Sequence, residues 1–318
     1  MEQKALKVLE FNKILDMLKA EATNELSKKI VDGLHPKSNI DEVLRLHEEL
    51  KAAVNLILKK GNPLLAGLKD VTSSLKRIEM GGILNTTELL NIGQVFKIAR
   101  NLIAYKEDES VLDDYFNQLT AERRIENEIY SCIVSEDEIA DSASSELASI
   151  RRQINNTHAK IRDSLNSIIH GGKYQKYLQE AIITIRDGRY VVPVKSEHKG
   201  DVSGIVHDMS STGSTLFIEP SAVVEANNQL RELAAKEKAE IERILANLTA
   251  LVSEKIHELF VNQRIIVELD FIFAKAKLAL KMNAITPKIN DKSYIVIEKG
   301  RHPLLDKNKV VPISVHLG

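Results

Sequence analysis

The sequence lacks tryptophan, contains a single cysteine, Cys132, and only 4% of its 318 residues are aromatic. One cysteine cannot form an intramolecular disulfide and cannot build a cysteine-based zinc site, so a reducing, cytoplasmic compartment is expected. A core with few rings and many leucine, isoleucine and alanine residues is typical of helix-on-helix packing. The composition therefore predicts a mainly α protein.

Long apolar runs are also missing. No window reaches the roughly 18 apolar residues of a membrane span, and the N-terminal MEQKALKVLEFNKILDMLKA carries charges where a signal peptide is apolar. Lys and Arg total 44 against 45 Asp and Glu, so the strongly basic balance of many nucleic-acid-binding domains is absent. We expect no membrane contact, and any contact with nucleic acid must come from local groups of basic residues.

Catalytic motifs are missing as well. There is no G-x-x-x-x-G-K-[ST] loop, because Gly172-Lys173 is followed by Tyr174, and the nine histidines form no H-E-x-x-H motif. His207 and Asp208 are neighbours in a predicted strand and would point to opposite faces, which excludes a simple relay between them. We expect no catalytic residue, no metal and no cofactor in this chain.

Glycine and proline are absent from two long stretches, 94–170 and 221–286. In each, apolar residues recur at three-four spacing: Leu147, Ile150, Ile154, Ile161, Leu165 and Ile168 in the first, and Ile241, Ile244, Leu248 and Leu251 in the second. Sixty helical residues would extend roughly 90 Å, so we predict two long antiparallel helices with matched apolar seams. Before them, Ser38 and Asn85 are expected to cap helices of a compact bundle.

Between the two long stretches the pattern changes to β-strands. Asp187-Gly188 lies between β-branched runs, a strong signal for a hairpin, and VSGIVHD and TLFIEP predict two further strands joined by the loop MSSTGS. After Pro287, the patterns of YIVIEKGRHPLL and VVPISVHL again predict β-strands. Two such strands make a marginal sheet, so we expect a truncated terminal domain.

These segments resemble the MutS family of mismatch-repair-type ATPases. LDFIFAKAKLALKMNAITPKI followed by EKGRHPLL is similar to the junction that joins lever to ATPase across the family. RDGRYVVPVKSEH, GIVHDMSSTGSTLFIEPSAVVEANNQL and the opening KALKVLEFNKIL resemble the bacterial MutS-two branch, which lacks the mismatch-reading domain. The resemblance covers essentially the whole chain.

The resemblance implies a mainly α fold with a helical core bundle, two long antiparallel lever helices, a small β-rich clamp inserted at their tip and a short β stub of a truncated ATPase domain. In residue numbers, the expected segments are the core (1–130), the ascending lever (131–180), the clamp (181–221), the descending lever (222–286) and the stub (287–318).

The resemblance also implies a function. Members of the branch are associated with gripping branched DNA, which suppresses recombination, and with rescuing and splitting collided ribosomes, where rRNA would be the contact. Full-length members would form homodimers, use ATP and Mg²⁺, and carry a C-terminal domain linked to endonuclease activity. For this chain we expect binding without catalysis, and whether DNA or the ribosome is the partner stays open.

The expected contacts lie at the tip. Between His170 and Lys199, six basic residues face three acidic ones, and the six are the candidate phosphate ligands: Lys173, Lys176, Arg186, Arg189, Lys195 and Lys199. In the family, Val310 and Val311 correspond to apolar residues beside the adenine of ATP.

The alternative is a structural coiled-coil module that dimerises or bridges partners without touching nucleic acid, which would instead expose an apolar patch at the tip.

Overall fold

The computed structural model describes residues 3–306 and 308–318 and is mainly helical. The helices are α1 (Gln3–Val8), α2 (Phe11–Glu21), α3 (Glu25–Asp32), α4 (Ile40–Lys60), α5 (Thr72–Glu79), α6 (Thr86–Tyr105), α7 (Asp113–Phe116), α8 (Arg123–Cys132), α9 (Ser145–His170), α10 (Val224–Ser253) and α11 (Ile256–Met282). The strands are β1 (Ile133–Ser135), β2 (Glu138–Ile139), β3 (Thr184–Arg186), β4 (Arg189–Lys195), β5 (Gly204–Met209), β6 (Thr215–Pro220), β7 (Ile295–Gly300) and β8 (Ile313–Leu317). These elements form two compact units: Met1–Tyr130 with Leu248–Gly318, and Ser131–Asn247.

The first unit is built around helix α11. Fourteen of its 27 residues are buried, and they lie on all sides of the helix because α2, α3, α4 and α6 pack against it. Its Phe271, Ala274 and Leu278 form a buried cluster with Leu18 and Val31. A helix that is apolar all round is a core helix. This explains why α11 lacks the one-sided pattern of a surface helix.

One buried carboxylate joins α11 to the segment between α2 and α3. Asp270 is fully buried and accepts hydrogen bonds from the backbone N–H of Thr23 at 2.9 Å, its hydroxyl at 2.8 Å and the Asn24 side-chain amide at 2.8 Å. Asn24 in turn caps α3 by accepting from the Ser27 backbone N–H. A buried charge is tolerated when several donors solvate it, as here.

The second unit contains α9 and most of α10, which run antiparallel. Ser144 donates to Glu240 at 2.5 Å, and farther along α9 Arg151 donates to Glu237 at 2.7 Å. Ile161 of α9 and Leu230 of α10 then belong to one apolar cluster. The partners of successive α9 residues lie progressively earlier in α10, so the two helices are antiparallel, as the apolar spacing predicts.

A four-stranded antiparallel sheet in the order β3-β4-β6-β5 completes the second unit. The predicted hairpin is confirmed: Asp187 and Gly188 have φ of 48° and 73°, the left-handed conformations of a two-residue turn, and Arg186 pairs with Arg189. Val192 and Val194 of β4 and Ile218 of β6 are buried with Ile161 and Leu165 of α9. One face of the sheet therefore packs on the helix.

The predicted uninterrupted helix over 222–286 is wrong. The structure ends α10 at Ser253 and begins α11 at Ile256, with no glycine or proline between them. Lys255 leaves the helical conformation (φ −126°, ψ 21°), and its ammonium pairs with Glu122 and Glu258. The break separates a helix with polar faces from one buried on all sides, a change that apolar spacing alone does not reveal.

The first glycine-free stretch is also interrupted. Within it the structure forms α6, α7, α8 and the short β1–β2 pair before α9, which has 26 residues and at 1.5 Å per residue extends about 39 Å. The cap predicted at Asn85 is confirmed as a capping box with Glu88. The cap predicted at Ser38 falls one residue later, because the Asn39 side chain accepts from the Glu42 backbone N–H.

Strands β7 and β8 form a separate antiparallel pair, as the sequence predicts after Pro287. All the β8 side chains are exposed, as are those of β7 up to Lys299. In the described residues, no helix combines the length and apolar character that crossing a membrane requires.

Candidate nucleic-acid interface

The six basic residues predicted as phosphate ligands fall into two groups in the second unit. Strand β4 begins with Arg189 and ends with Lys195, so the two groups lie toward opposite ends of this strand. We call Arg186 and Arg189 the arginine pair. We call Lys173, Lys176, Lys195 and Lys199 the lysine cluster.

Arg189 is committed to an internal ion pair. Its guanidinium donates to both carboxylate oxygens of Glu219, at 2.8 and 3.0 Å, and to the side-chain oxygen of Asn228 at 2.7 Å. Its side chain is only 18% exposed, and the Glu219 side chain is fully buried. Nη1 alone contacts both oxygens of the buried carboxylate and Nη2 contacts Asn228, so the guanidinium has a structural role. This internal ion pair of Arg189 differs from the phosphate contact that the sequence predicts for it.

Glu219 is the centre of a network that joins strands and helix. His207 Nε2 lies 2.5 Å from one carboxylate oxygen, and the Asn227 side-chain amide donates to the other at 2.7 Å. The Asn227 side chain also accepts a hydrogen bond from the Tyr190 backbone N–H and donates one to the Tyr190 carbonyl. Burial raises the pKa of Glu219, but the hydrogen bonds from His207, Asn227 and Arg189 outweigh it, so the pKa lies below its ordinary value.

A bulge in β5 places His207 in this network. Val206 pairs with Ile218 and Asp208 with Phe217, so His207 is an extra residue relative to β6. The bulge breaks the alternation of side chains, so the predicted orientation of His207 and Asp208 toward opposite faces is wrong. The two still form no relay, because His207 bonds Glu219 and Asp208 pairs with Arg186. Glu219 is not predictable as a functional residue, because a glutamate in the TLFIEP strand carries no signal of burial.

Arg186 is half-buried and also has internal partners. Its Nε lies 3.2 Å from an Asp208 carboxylate oxygen, and its guanidinium lies over the Phe217 ring, 4.2 Å from the centroid. Both side chains of this ion pair are more than a third exposed, so the pair is weaker than that of Arg189. The arginine pair thus lies on the opposite face of the sheet from α9, because its contacts Phe217 and Glu219 alternate along β6 with Leu216 and Ile218, which pack with that helix.

The lysine cluster has a different environment. Lys173, Lys176 and Lys199 are exposed, Lys195 is half-buried, and within residues 3–306 and 308–318 none of the four forms an ion pair. Lys195 Nζ donates to the backbone carbonyl of Lys176 at 3.3 Å, which brings these two together. The four ammonium groups are therefore available to an external anion.

Aromatic side chains lie among the lysines. Lys173 Nζ is 5.1 Å from the centroid of the Tyr174 ring and Lys176 Nζ is 4.8 Å from that of Tyr177. The Tyr177 ring in turn lies 4.9 Å from the His198 ring, next to Lys199 in the chain. The acidic neighbours at this end, Glu197 and Asp201, face His198.

Two other predicted positions fall in the first unit. Val310 is half-buried and Val311 is 76% exposed, and both lie in the loop between β7 and β8. Their assignment to an adenine site stays a prediction. In the second unit, the loop from Ser210 to Ser214 closes on itself through Ser210 N–H to Thr215 and Gly213 N–H to Ser210, the turn that the sequence predicts.

No protein-family model matches the chain. Curated relatives match all of it: a protein named "Endonuclease MutS2" from Ruminiclostridium cellulolyticum is 50% identical, one from Acetivibrio thermocellus is 47% identical, and one from Clostridioides difficile is 45% identical. The chain spans 41% of the length of each. Identity of this degree along the whole chain confirms the resemblance drawn from the hairpin and lever-junction motifs. The chain is therefore a relative of the MutS-two branch of the MutS family, and the similarity extends over all of this chain.

Proposed function

We propose that this chain is the nucleic-acid-gripping region of a MutS-type ATPase, with the lysine cluster as its phosphate-binding surface. In this proposal α9 and α10 serve as levers and the small sheet as the clamp. In this proposal ATP, Mg²⁺, a homodimeric state and endonuclease activity are expected of full-length members of the family. Branched DNA and the rRNA of collided ribosomes share the phosphate backbone that such a clamp would hold.

The observation that carries the proposal is the contrast in pairing. The arginine pair is matched by Glu219 and Asp208, whereas the described structure gives the lysine cluster no carboxylate partner. Unpaired lysines on a surface supply sequence-independent affinity, because each phosphate that they neutralise releases counterions. Such contacts position a backbone without reading bases, which suits a clamp.

The test is a variant in which Lys173, Lys176, Lys195 and Lys199 are all replaced by Gln. We expect its affinity for a branched DNA junction or for ribosomes to fall roughly 10- to 100-fold at moderate salt. Gel shift measures the first partner and co-sedimentation the second. The partner whose binding falls is the one that the cluster contacts.

A matched control changes four exposed lysines outside the cluster, Lys29, Lys69, Lys76 and Lys238, to Gln. The net charge changes by the same amount, so a general electrostatic effect would weaken both variants equally. If the two variants bind alike, the lysine cluster is not the phosphate-binding surface.

A second candidate function is a bridging module that contacts protein and not nucleic acid. The observation in its favour is the edge strand β5, where Ile205, Val206 and Met209 are exposed. Replacing Ile205 and Met209 by Lys should abolish binding in this case, whereas a phosphate clamp would be unaffected or would bind nucleic acid more tightly. The β5 bulge counts against edge-to-edge pairing, because a bulge twists the strand edge away.

A further inference from the structure

A histidine with two carboxylate neighbours lies beside the lysine cluster. His198 Nδ1 is 2.9 Å from an Asp201 carboxylate oxygen, and Nε2 is 3.6 Å from a carboxylate oxygen of Glu197. The histidine side chain is 32% exposed, and both acidic side chains are more exposed than it is. Imidazole is the side-chain group whose charge ordinarily changes between about pH 5 and pH 8. The two carboxylates therefore meet a cation at low pH and a neutral ring at high pH.

Short contacts join His198 to three of the four lysines. The centroid of the Tyr177 ring is 4.9 Å from that of the His198 ring and 4.8 Å from Lys176 Nζ. The Lys176 carbonyl accepts a hydrogen bond from Lys195 Nζ, and Lys199 directly follows His198 in the chain. A charge on the His198 ring therefore acts within the same surface as the charges of these lysines.

The loop that packs against this turn adds no charge. The Ser196 backbone N–H donates to the Ser214 carbonyl at 3.0 Å, so the loop from Ser210 to Ser214 lies next to the turn that carries His198. The loop consists of four hydroxyl residues and one glycine. The charged groups that the described contacts bring to His198 are thus the lysine cluster and the two carboxylates.

The protonation of His198 changes the charge that a phosphate meets. The four lysines and the two carboxylates leave a net charge of +2 around a neutral ring, and a proton on the ring raises it to +3. A protonated imidazole donates from both nitrogens, whereas a neutral one donates from only one. When the proton leaves, one of the two carboxylates therefore loses its donor and opposes an incoming phosphate.

We infer that the protonation of His198 regulates the lysine cluster, which binds phosphate more tightly when the ring is charged than when it is neutral. The inference rests on the proposed function and adds regulation by pH to it. The coupling is reciprocal, so a bound phosphate favours the protonated ring.

The experiment measures the affinity of the 318-residue chain for a short DNA duplex at low salt, from about pH 5.5 to pH 8.5. We expect affinity to fall roughly fivefold as the pH rises, the factor that coupling between partly exposed charges supplies. His198→Gln should lose this dependence and bind weakly throughout, and His198→Arg should bind tightly throughout. Asp201→Asn should bind more tightly than the wild type at the highest pH, because it removes a charge that opposes phosphate.

His170→Gln is the matched control, since His170 is an exposed histidine three residues before Lys173 that contacts no carboxylate in the described part of the chain. This variant should keep the pH dependence of the wild type. The NMR signals of the histidine rings give a second readout at neutral pH. Adding the duplex should raise the protonated fraction of His198 and leave that of His170 unchanged.

The possible failures of the inference and of the proposed function are distinguishable. Binding that does not change with pH, a dependence that His198→Gln keeps, or a His198 ring that the duplex does not protonate further would overturn the inference and leave the lysine cluster intact. Absence of binding at every pH would overturn the proposed function and the inference together.

Discussion

The two groups of basic residues around the small sheet carry the same charge but have different environments. The arginine pair meets carboxylates, the buried Glu219 and the exposed Asp208, and Arg189 with Glu219 fastens β4 to β6. The lysine cluster has no such partners among the described residues and lies next to tyrosine rings. Arginine suits the first task because its guanidinium donates to several acceptors at once, here Glu219 and Asn228, and lysine suits the second because its ammonium is a strongly hydrated point charge on a flexible stem.

Positive charge in a sequence window therefore does not by itself identify a binding surface. The window from His170 to Lys199 contains six basic residues, but Glu219 and Asp208, which pair two of them, lie outside it. Counting charge within the window therefore overstates the charge available to a ligand. Replacements that change stability and binding separately test this difference between the arginine pair and the lysine cluster.

The largest effect on stability is expected from Arg189→Ala. It leaves the buried Glu219 without its guanidinium partner, and removing one member of a buried pair costs about 3 kcal/mol or more. Urea unfolding followed by circular dichroism measures the change. A decrease below about 1 kcal/mol would mean that the pair is not what fastens the sheet.

Glu219→Gln should cost about 2 kcal/mol at neutral pH, because hydrogen bonds to a charged group are exchanged for neutral ones. The folded-state pKa of Glu219 is lowered, so its stabilisation is present above the ordinary value of 4.5 and is lost as the pH falls through the folded-state pKa. The unfolding free energies of wild type and variant should therefore converge in acid. Parallel curves from pH 7 to pH 3 would contradict this.

Arg186→Ala should cost about 1 kcal/mol, from its contact with the Phe217 ring and a partly exposed ion pair. Its control is Arg186→Lys, which keeps the charge but loses the planar stacking. If Arg186→Lys is as stable as the wild type, charge alone accounts for the role of Arg186.

The smallest effect on stability is expected from the four-lysine variant, Lys173, Lys176, Lys195 and Lys199 to Gln. Solvated side chains without ion pairs usually contribute within about 0.5 kcal/mol. Unfolding in urea should therefore give nearly the wild-type midpoint. A large decrease would assign these lysines to the fold and would remove the contrast with the arginine pair.

Local patterns predicted much of the fold. The Asp187-Gly188 hairpin, the Asn85 cap and the antiparallel run of α9 and α10 follow from turn chemistry, capping and apolar spacing. The break near Lys255 could not be predicted, because it depends on the change from a partly solvated helix to one enclosed on all sides. The β5 bulge has no sequence signal either.

The candidate site was only partly predictable for a related reason. Which basic residues stay free depends on carboxylates that are distant in sequence: Glu219 lies 30 residues from Arg189. In the first unit, Asp270 and Thr23 are separated by 247 residues. Charge pairing over such separations is a property of the tertiary structure, so sequence windows find the basic residues without telling which of them are paired.

The salt dependence of binding is the decisive measurement for the lysine cluster. On branched DNA, the slope of log affinity against log salt concentration should become less steep by up to about 3.6 in the four-lysine variant, because each phosphate that a lysine neutralises contributes ~0.9 to that slope. The unfolding free energy should stay unchanged in the same variant. A slope equal to that of the wild type would contradict the assignment of the lysine cluster to phosphate binding.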